Sequence, residues 1–362
     1  MTDIDAEVEY RIRPDVLVHF HEDSVIFTST SGRWVKDFDA EPWCLKLLRL
    51  LHEGCNSSEL QKSLSRVDSS EIATVVRLLE QEGVITSLPR PHSMKGRYAR
   101  QLQFLDVLAC CSDSRIDSQE MQEKIRGAKV LVLGVGGAGT NLLQMLAQVG
   151  VGRISIVDPD IVELENLNRQ VLYHETDVGT PKVDACKNAL LRINPEVQVV
   201  CHKMFIGGAQ DVAKVLLDNH IVVSCADHPS VAKVAQWVSE ACMPLGVPHI
   251  VGGSYGANFG VPGYSVLPGV TPCWGCATEW AKANIHSMDD PLVPKQNAGS
   301  FSPIVSLVSS FVAWEAIRII TGCAPLLAGC LRELDVMTLT WHASKVSVLA
   351  DCSFCCGVKY DE

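Results

Sequence analysis

Apolar and polar positions follow two different rhythms along this chain, and the change falls near residue 90. Before it, Asp15–His21 and Ser24–Thr30 alternate with the period of two that marks half-buried strands. A tight turn at Glu22-Asp23 joins them, and Arg33–Lys36 adds a short third strand. Glu41–His52 then carries Trp43, Leu45, Leu47, Leu48, Leu50 and Leu51, the spacing of a buried helix, with Gly54 as its stop. Ser57 or Ser58 caps a short helix through Leu64. Ser69 or Ser70 caps another, with Ile72, Val75, Val76, Leu78 and Leu79 on its inner face and Gly83 at its end. Three strands followed by three helices predict a small winged-helix-like α+β domain over residues 1–90. The segment Ser87–Ser93, with two prolines, reads as an extended spacer.

Residues 91–362 follow the second rhythm. Lys129–Leu133 is apolar and β-branched without alternation, as in a parallel strand buried on both faces. Gly134, Gly136, Gly137 and Gly139 come next, then helix-spaced Leu and Met over Asn141–Val149, then a strand over Arg153–Val157 that ends in Asp158. Beyond it, Val183–Arg192, Ala209–Asn219 and Val231–Leu245 read as helices, while Gln198–His202, Ile221–Cys225 and His249–Gly252 read as strands. Ile304–Ile320 is a long helix whose apolar residues are most simply core. Strands alternating with helices of this length predict an α/β domain with a doubly wound, mostly parallel, Rossmann-like sheet.

The glycine run carries the first chemistry. Glycines after a strand let the chain turn sharply and bring backbone N–H groups to a phosphate at the following helix N-terminus. Asp158 stands where a carboxylate accepts hydrogen bonds from a ribose. Gly134, Gly136 and Gly139 satisfy the plain G-x-G-x-x-G spacing, which a nicotinamide dinucleotide site shares. Arg169, in Asn166-Leu-Asn-Arg-Gln170, and Lys182, in Asp177-Val-Gly-Thr-Pro-Lys182, favour ATP instead. A triphosphate under attack needs side-chain cations, whereas a dinucleotide pyrophosphate is neutralised mainly by backbone dipoles.

The block formed by Gly134–Gly139, Asp158-Pro-Asp160, Asn166 to Gln170, Asp177-Val-Gly and Lys182 resembles the E1-like adenylating enzymes, the superfamily of ThiF, MoeB and the ubiquitin-activating enzymes. The resemblance runs from about Arg97 to Gly357. It implies that Asp158 holds the ribose, that Asn166, Arg169 and Lys182 contact phosphates or the reacting end, and that Asp160 and Gln170 belong to the same nucleotide site. It also implies that Asp227, in Ile221-Val-Val-Ser-Cys-Ala-Asp227, binds Mg2+, although His228-Pro229 follows where the family often has Asn. Gly96-Arg-Tyr-Ala-Arg-Gln101 resembles the segment that opens such domains, which makes Arg100 a catalytic arginine donated across a homodimer.

Composition narrows the setting. The formal net charge of −11 argues against non-specific nucleic-acid binding, and no apolar run reaches membrane-spanning length. The acidic N-terminus, MTDIDAEVEYR, is unlike a basic signal region. Most of the 15 cysteines sit singly in apolar segments, as Cys186 and Cys225 do, which fits a reducing, cytoplasmic location. Cys273-Trp-Gly-Cys276 and Cys352-Ser-Phe-Cys355 are different: two C-x-x-C knuckles make a closed, structural Zn2+ site, with Cys356 as an extra thiol.

Residues 1–90 hold ten Lys/Arg against sixteen Asp/Glu, a net of −6 and the wrong sign for a DNA-binding winged helix. Their order of elements resembles the PqqD-like precursor-peptide recognition domain, which implies leader binding by strand addition; an accessory dimerisation domain is the plainer alternative. Ala277–Thr321 contains no cysteine to take over an activated carboxyl, and Ala283–Phe301 reads as a polar loop closing over the substrate. The expectation is therefore a Mg2+- and ATP-dependent adenylation of a carboxylate of a ribosomally made precursor peptide, captured by an internal nucleophile during antibiotic-type peptide biosynthesis. A pantocin-type glutamate modification is favoured. The alternatives are a microcin C-type C-terminal peptide–AMP linkage, a sulfur-carrier or ubiquitin-like protein adenylyltransferase, a nicotinamide-dependent oxidoreductase, and a leader-binding scaffold without activity.

Overall fold

A computed structural model describes residues 8–21, 23–90, 95–112, 116–257, 259–284, 299–352 and 354–355. Glu22 of the expected turn, residues 91–93 of the spacer, Cys356 and positions 285–298 of the expected closing loop lie outside the described residues. The chain forms two compact units, Met1–Glu123 and Lys124–Glu362.

The first unit contains β1 (Glu9–Ile12), β2 (Val16–Phe20), β3 (Ser24–Ser29), β4 (Trp34–Asp39), α1 (Pro42–Glu53), β5 (Cys55–Asn56), α2 (Ser57–Ser63), α3 (Ser69–Gln81), β6 (Ile85–Thr86) and α4 (Ala99–Cys111). The three expected strands are β2, β3 and β4, which pair antiparallel as one sheet with β3 in the centre. A second three-stranded sheet, β5-β1-β6, adds to the expected pattern. Its outer strands have two residues each, too short to leave a periodic signal. The three helices lie where the apolar spacing puts them, but their caps differ. Asn56, rather than Ser57 or Ser58, caps α2 by accepting from the Glu59 N–H, and Glu59 bonds back to the Asn56 N–H. Asp68, rather than Ser69 or Ser70, caps α3. The first unit extends past the spacer for a physical reason. Arg11 of β1 and Asp106 of α4 form a buried ion pair at 2.6 and 3.2 Å, tying α4 to the strands before the spacer.

Helix α5 (Ser118–Gly127) leads into the second unit. There the chain runs β7 (Lys129–Leu133), α6 (Gly137–Val149), β8 (Arg153–Val157), α7 (Lys182–Ile193), β9 (Gln198–His202), α8 (Ala209–Leu216), β10 (Ile221–Ser224), α9 (Val231–Cys242), β11 (His249–Tyr255), β12 (Phe259–Val266), α10 (Trp274–Asn284), α11 (Ser302–Thr321), β13 (Cys330–Asp335) and β14 (Thr340–Lys345). One eight-stranded sheet has the order β14-β13-β12-β11-β10-β7-β8-β9. The strands from β11 to β9 are parallel and the remaining three are antiparallel, so the fold is α/β with a mostly parallel sheet. The winding proceeds β7, β8, β9 in one direction and then returns to the other side of β7 with β10. Open sheets of this kind bind ligands at that reversal, outside the carboxyl ends of the strands.

Helix α11 corrects one sequence-based expectation. Its 20 residues are long and apolar enough, by length and composition, to cross a membrane. Here it packs against α6, β11 and β12 as a core helix. Glu315 in its middle is buried, and its carboxylate accepts from Ser265 Oγ at 2.5 Å and from the N–H groups of Leu326 and Leu327 at 2.7 and 2.9 Å. Three donors make a buried carboxylate tolerable in a protein interior.

Candidate active site

The reversal in strand order brings the end of β7 against the end of β10. Gly134 has φ +84°, and a Cβ there would lie 2.8–2.9 Å from the backbone of Cys225 and Ala226. A Cβ on Gly139 would lie 2.1 Å from the Gly134 carbonyl oxygen. Both glycines are thus required by close backbone approach. Gly136 differs, because a Cβ on it would meet nothing within 4 Å. It is the N-cap of α6, and no side-chain hydrogen bond closes that helix start. An uncapped helix start with an open glycine face suits a phosphate.

Asp158 follows β8 and is buried. Its Oδ2 accepts from the Val135 N–H at 2.8 Å and its Oδ1 from the Asp160 N–H at 2.9 Å, so it braces the glycine turn. Burial pushes its carboxyl up, against the opposing effect of those two N–H donors and of Lys182. The hydroxyl of Tyr173 holds the other side of the same residue, donating to the Val135 carbonyl at 2.8 Å beside the Cys186 thiol at 3.3 Å. The turn is therefore gripped through both polar groups of Val135. Neither contact is visible from spacing.

Lys182, almost wholly buried at the start of α7, pairs with Asp160 at 2.9 Å. Arg169 donates to the Glu165 carbonyl and to Asn168 Oδ1, each at 2.9 Å, and its Cγ lies 3.5 Å from where a Gly137 Cβ would stand. Asn166 is buried and accepts from the Glu163 N–H, shaping the turn that carries Arg169. Gln170 is buried with its Oε1 lacking a partner among the described residues. Asp227 is exposed just beyond β10, on the strand-end side of the sheet. An accessible carboxylate at this strand end fits a Mg2+ ligand, since Mg2+ in nucleotide sites takes one or two carboxylates plus phosphate oxygens. The next residue, His228, packs its ring edge-on to Phe205 with centroids 5.6 Å apart. Gly134, Gly136, Gly137, Gly139, Asp158, Asp160, Asn166, Arg169, Gln170, Lys182 and Asp227 all belong to this second unit, whereas Arg100, exposed on α4 and bonded to Gln103, belongs to the first.

Away from this edge, Cys273, Cys276, Cys352 and Cys355 converge with all four Sγ atoms within 4.8 Å of one another. Three of the separations are 3.3, 3.6 and 3.8 Å. A tetrahedron with Zn–S bonds of about 2.3 Å requires sulfurs roughly 3.8 Å apart, so the four thiols fit Zn2+. The set joins the start of α10 to the chain beyond β14, over a core that includes Tyr264 and Val266 of β12. Among the described residues the remaining cysteines form no disulfide, and burial holds the Cys186 and Cys242 thiols up at about 12, in keeping with inert core residues.

Comparisons with known proteins agree with this geometry. The ThiF family model matches residues 98–355. The sulfur carrier protein ThiS adenylyltransferase of Bacillus subtilis is 33% identical over 278 residues, 74% of this chain and 73% of that protein. The molybdopterin-synthase adenylyltransferase of Escherichia coli is 28% identical over 65% of this chain and 89% of its own length. Among solved structures, E. coli MccB superposes with a TM-score of 0.78 over 98% of both chains at 23% identity. Crystal structures of that protein include one with ATP and one, as the microcin C7 biosynthetic enzyme, with N-formylated MccA. PaaA matches with a TM-score of 0.68 over 92% of this chain and 99% of its own, at 22% identity. These two likenesses are likenesses of fold.

Proposed function

Because the chain belongs to the ThiF family and is an ATP-dependent enzyme that adenylates a carboxylate, we propose that its substrate is a ribosomally made precursor peptide. The observation that supports this most is the pairing of a complete adenylation edge with a first unit of two small sheets. Strands β2 and β4 are the edges of one of these sheets, and Leu17 and Val35 on them are more than half exposed. An extended leader adds to such an edge through main-chain hydrogen bonds, as in PqqD-like domains. The fold shared with MccB, which is crystallised with MccA, points the same way.

The chemistry assigned to the site is direct. A peptide carboxylate oxygen attacks the α-phosphorus of ATP, the bond to the β-phosphate oxygen breaks, and pyrophosphate leaves. The first turn of α6 and the Gly136 face bind phosphate, Asp158 holds the ribose, and Arg169 and Lys182 stabilise the charge that builds on the departing pyrophosphate. Asp227 would hold Mg2+, which would supply further neutralisation of the phosphates. A nitrogen or other nucleophile within the peptide then attacks the acyl carbon and AMP departs. With no cysteine in Ala277–Thr321, no protein thioester intervenes. Cyclisation of the pantocin type is the favoured outcome, and a microcin C-type peptide–AMP linkage is the other member of the same class. The working form is a homodimer in which Arg100 completes the partner's site.

The test shortens the peptide rather than the protein, since removing residues 1–90 would strip Arg11 from buried Asp106. Candidate precursors are any short peptides found encoded beside this chain's gene. A leaderless core peptide is expected to raise KM by about 100-fold or more with kcat little changed, the signature of lost remote binding. Equal KM for leaderless and full peptides contradicts leader recognition.

A further inference from the structure

Asn141 sits in the second turn of α6 with 7% of its surface exposed, and both ends of its side-chain amide are hydrogen-bonded. Its Nδ2 donates to the carbonyl of Gly137 at 2.9 Å and to the carbonyl of Arg169 at 3.3 Å. Its Oδ1 accepts from Ser306 Oγ of α11 at 2.8 Å. One amide thus joins the first turn of the phosphate-facing helix, the main chain of Arg169 and the beginning of α11. The amide orientation is fixed by these partners, because the reverse would set Oδ1 against two carbonyl oxygens. Closeness of the same three elements shows independently at Gly137, where a Cβ would lie 3.3 Å from Val305 of α11 and 3.5 Å from Arg169.

We propose that Asn141, braced by Ser306, is a positioning residue for the adenylation, clamping the Arg169 main chain onto the first turn of α6 so that the guanidinium meets the phosphates at a set distance. The arginine side chain is long, and its guanidinium bonds to acceptors of its own segment at Glu165 and Asn168. What the fold fixes is the point from which it swings. An arginine anchored loosely loses the pre-organisation that makes electrostatic stabilisation effective. Alanine, small and a strong helix former, would keep α6 intact while removing all three bonds at once. The inference rests on Arg169 being a phosphate-facing cation, the role proposed for it in the adenylation.

The test measures binding of α,β-methylene ATP with excess Mg2+ to the full chain by calorimetry, with thermal unfolding in parallel. Asn141→Ala is expected to weaken binding about tenfold, and Ser306→Ala, which removes only the brace, about threefold. Arg169→Ala is expected to weaken binding at least as much as Asn141→Ala. The double variant Asn141→Ala/Arg169→Ala should be within about twofold of Arg169→Ala alone, because a clamp with nothing to present has no further effect. A double loss equal to the product of the single losses makes Asn141 an ordinary structural contact and overturns the inference. So does unchanged affinity in Asn141→Ala while Arg169→Ala binds weakly. Arg169→Ala at full affinity removes Arg169 from the phosphate site and the clamp with it, a result distinct from failure of the clamp alone. Should Asn141→Ala not fold, the same cycle is run with Ser306→Ala and judged by the same rule.

Discussion

Asp227→Ala is expected to lower adenylation by about a thousandfold, roughly 4 kcal/mol of transition-state stabilisation, while peptide affinity stays near its original value. Asp227 is exposed just beyond β10, the parallel neighbour of β7, which leads into the glycine turn. It lies outside the core, so its removal disturbs no packing and the loss falls on the nucleotide. Steady-state kinetics with pyrophosphate detection, beside a peptide-binding measurement, checks both halves. Unchanged turnover takes Asp227 out of the site. The same variant also probes the shared dimer site. Mixed with Arg100→Ala chains it should recover activity, because one site of a mixed dimer combines intact Asp227 with intact Arg100. At most one site per dimer is repaired, so recovery stays well below the unmutated level. No recovery after confirmed chain exchange contradicts an arginine acting in trans.

The second large effect concerns the four thiols. One Zn2+ per chain is expected by elemental analysis of protein purified without chelator. Cys273→Ser or Cys352→Ser should abolish retention of the metal and lower Tm by about 10 °C or more, given that structural zinc contributes folding energy outright and that 1 kcal/mol shifts a unit of this size by about 2–4 °C. The geometry says why the effect should be this large. Four sulfurs lie within 4.8 Å, all on buried residues, joining α10 to the chain beyond β14 across 79 positions of sequence. Without a metal they gain only weak S–H contacts. Absence of zinc in freshly purified protein, with Tm insensitive to both substitutions, contradicts a structural metal site.

Strands β7 and β8 span the segments expected of them, because a strand buried on both faces leaves a near-uninterrupted apolar signal; β9, an edge strand with only Val199 buried, also falls where the sequence puts it. Helix α6 starts earlier than its apolar pattern suggests, at Gly137 rather than Asn141, since its first turn is glycine-rich for the sake of the phosphate cradle. The caps at Asn56 and Asp68 are obscured by serines standing next to them, although Glu59, three residues after Asn56, is a legible clue to a capping box. Candidate site residues can be read because their types and spacing form a motif. Tyr173 and Asn141 cannot. A tyrosine at the end of a motif and an asparagine inside a helix look neutral alone, and their meaning lies in contacts to Val135, 38 positions away, and to Ser306, 165 positions away. The Arg11–Asp106 pair, which draws α4 into the first unit, is non-local in the same way.

The measurement that bears most directly on the central claim is exchange of radiolabelled pyrophosphate into ATP. Formation of an acyl-adenylate is reversible, so labelled pyrophosphate enters ATP only when a carboxylate is being activated. With the purified protein, Mg2+ and a candidate precursor peptide drawn from any short reading frame beside its gene, exchange is expected to depend on that peptide, to fall when its leader is removed, and to vanish in Asp227→Ala. Exchange supported by a sulfur-carrier protein's C-terminus and not by the peptide, or no exchange with any carboxylate, would contradict a peptide-adenylating enzyme.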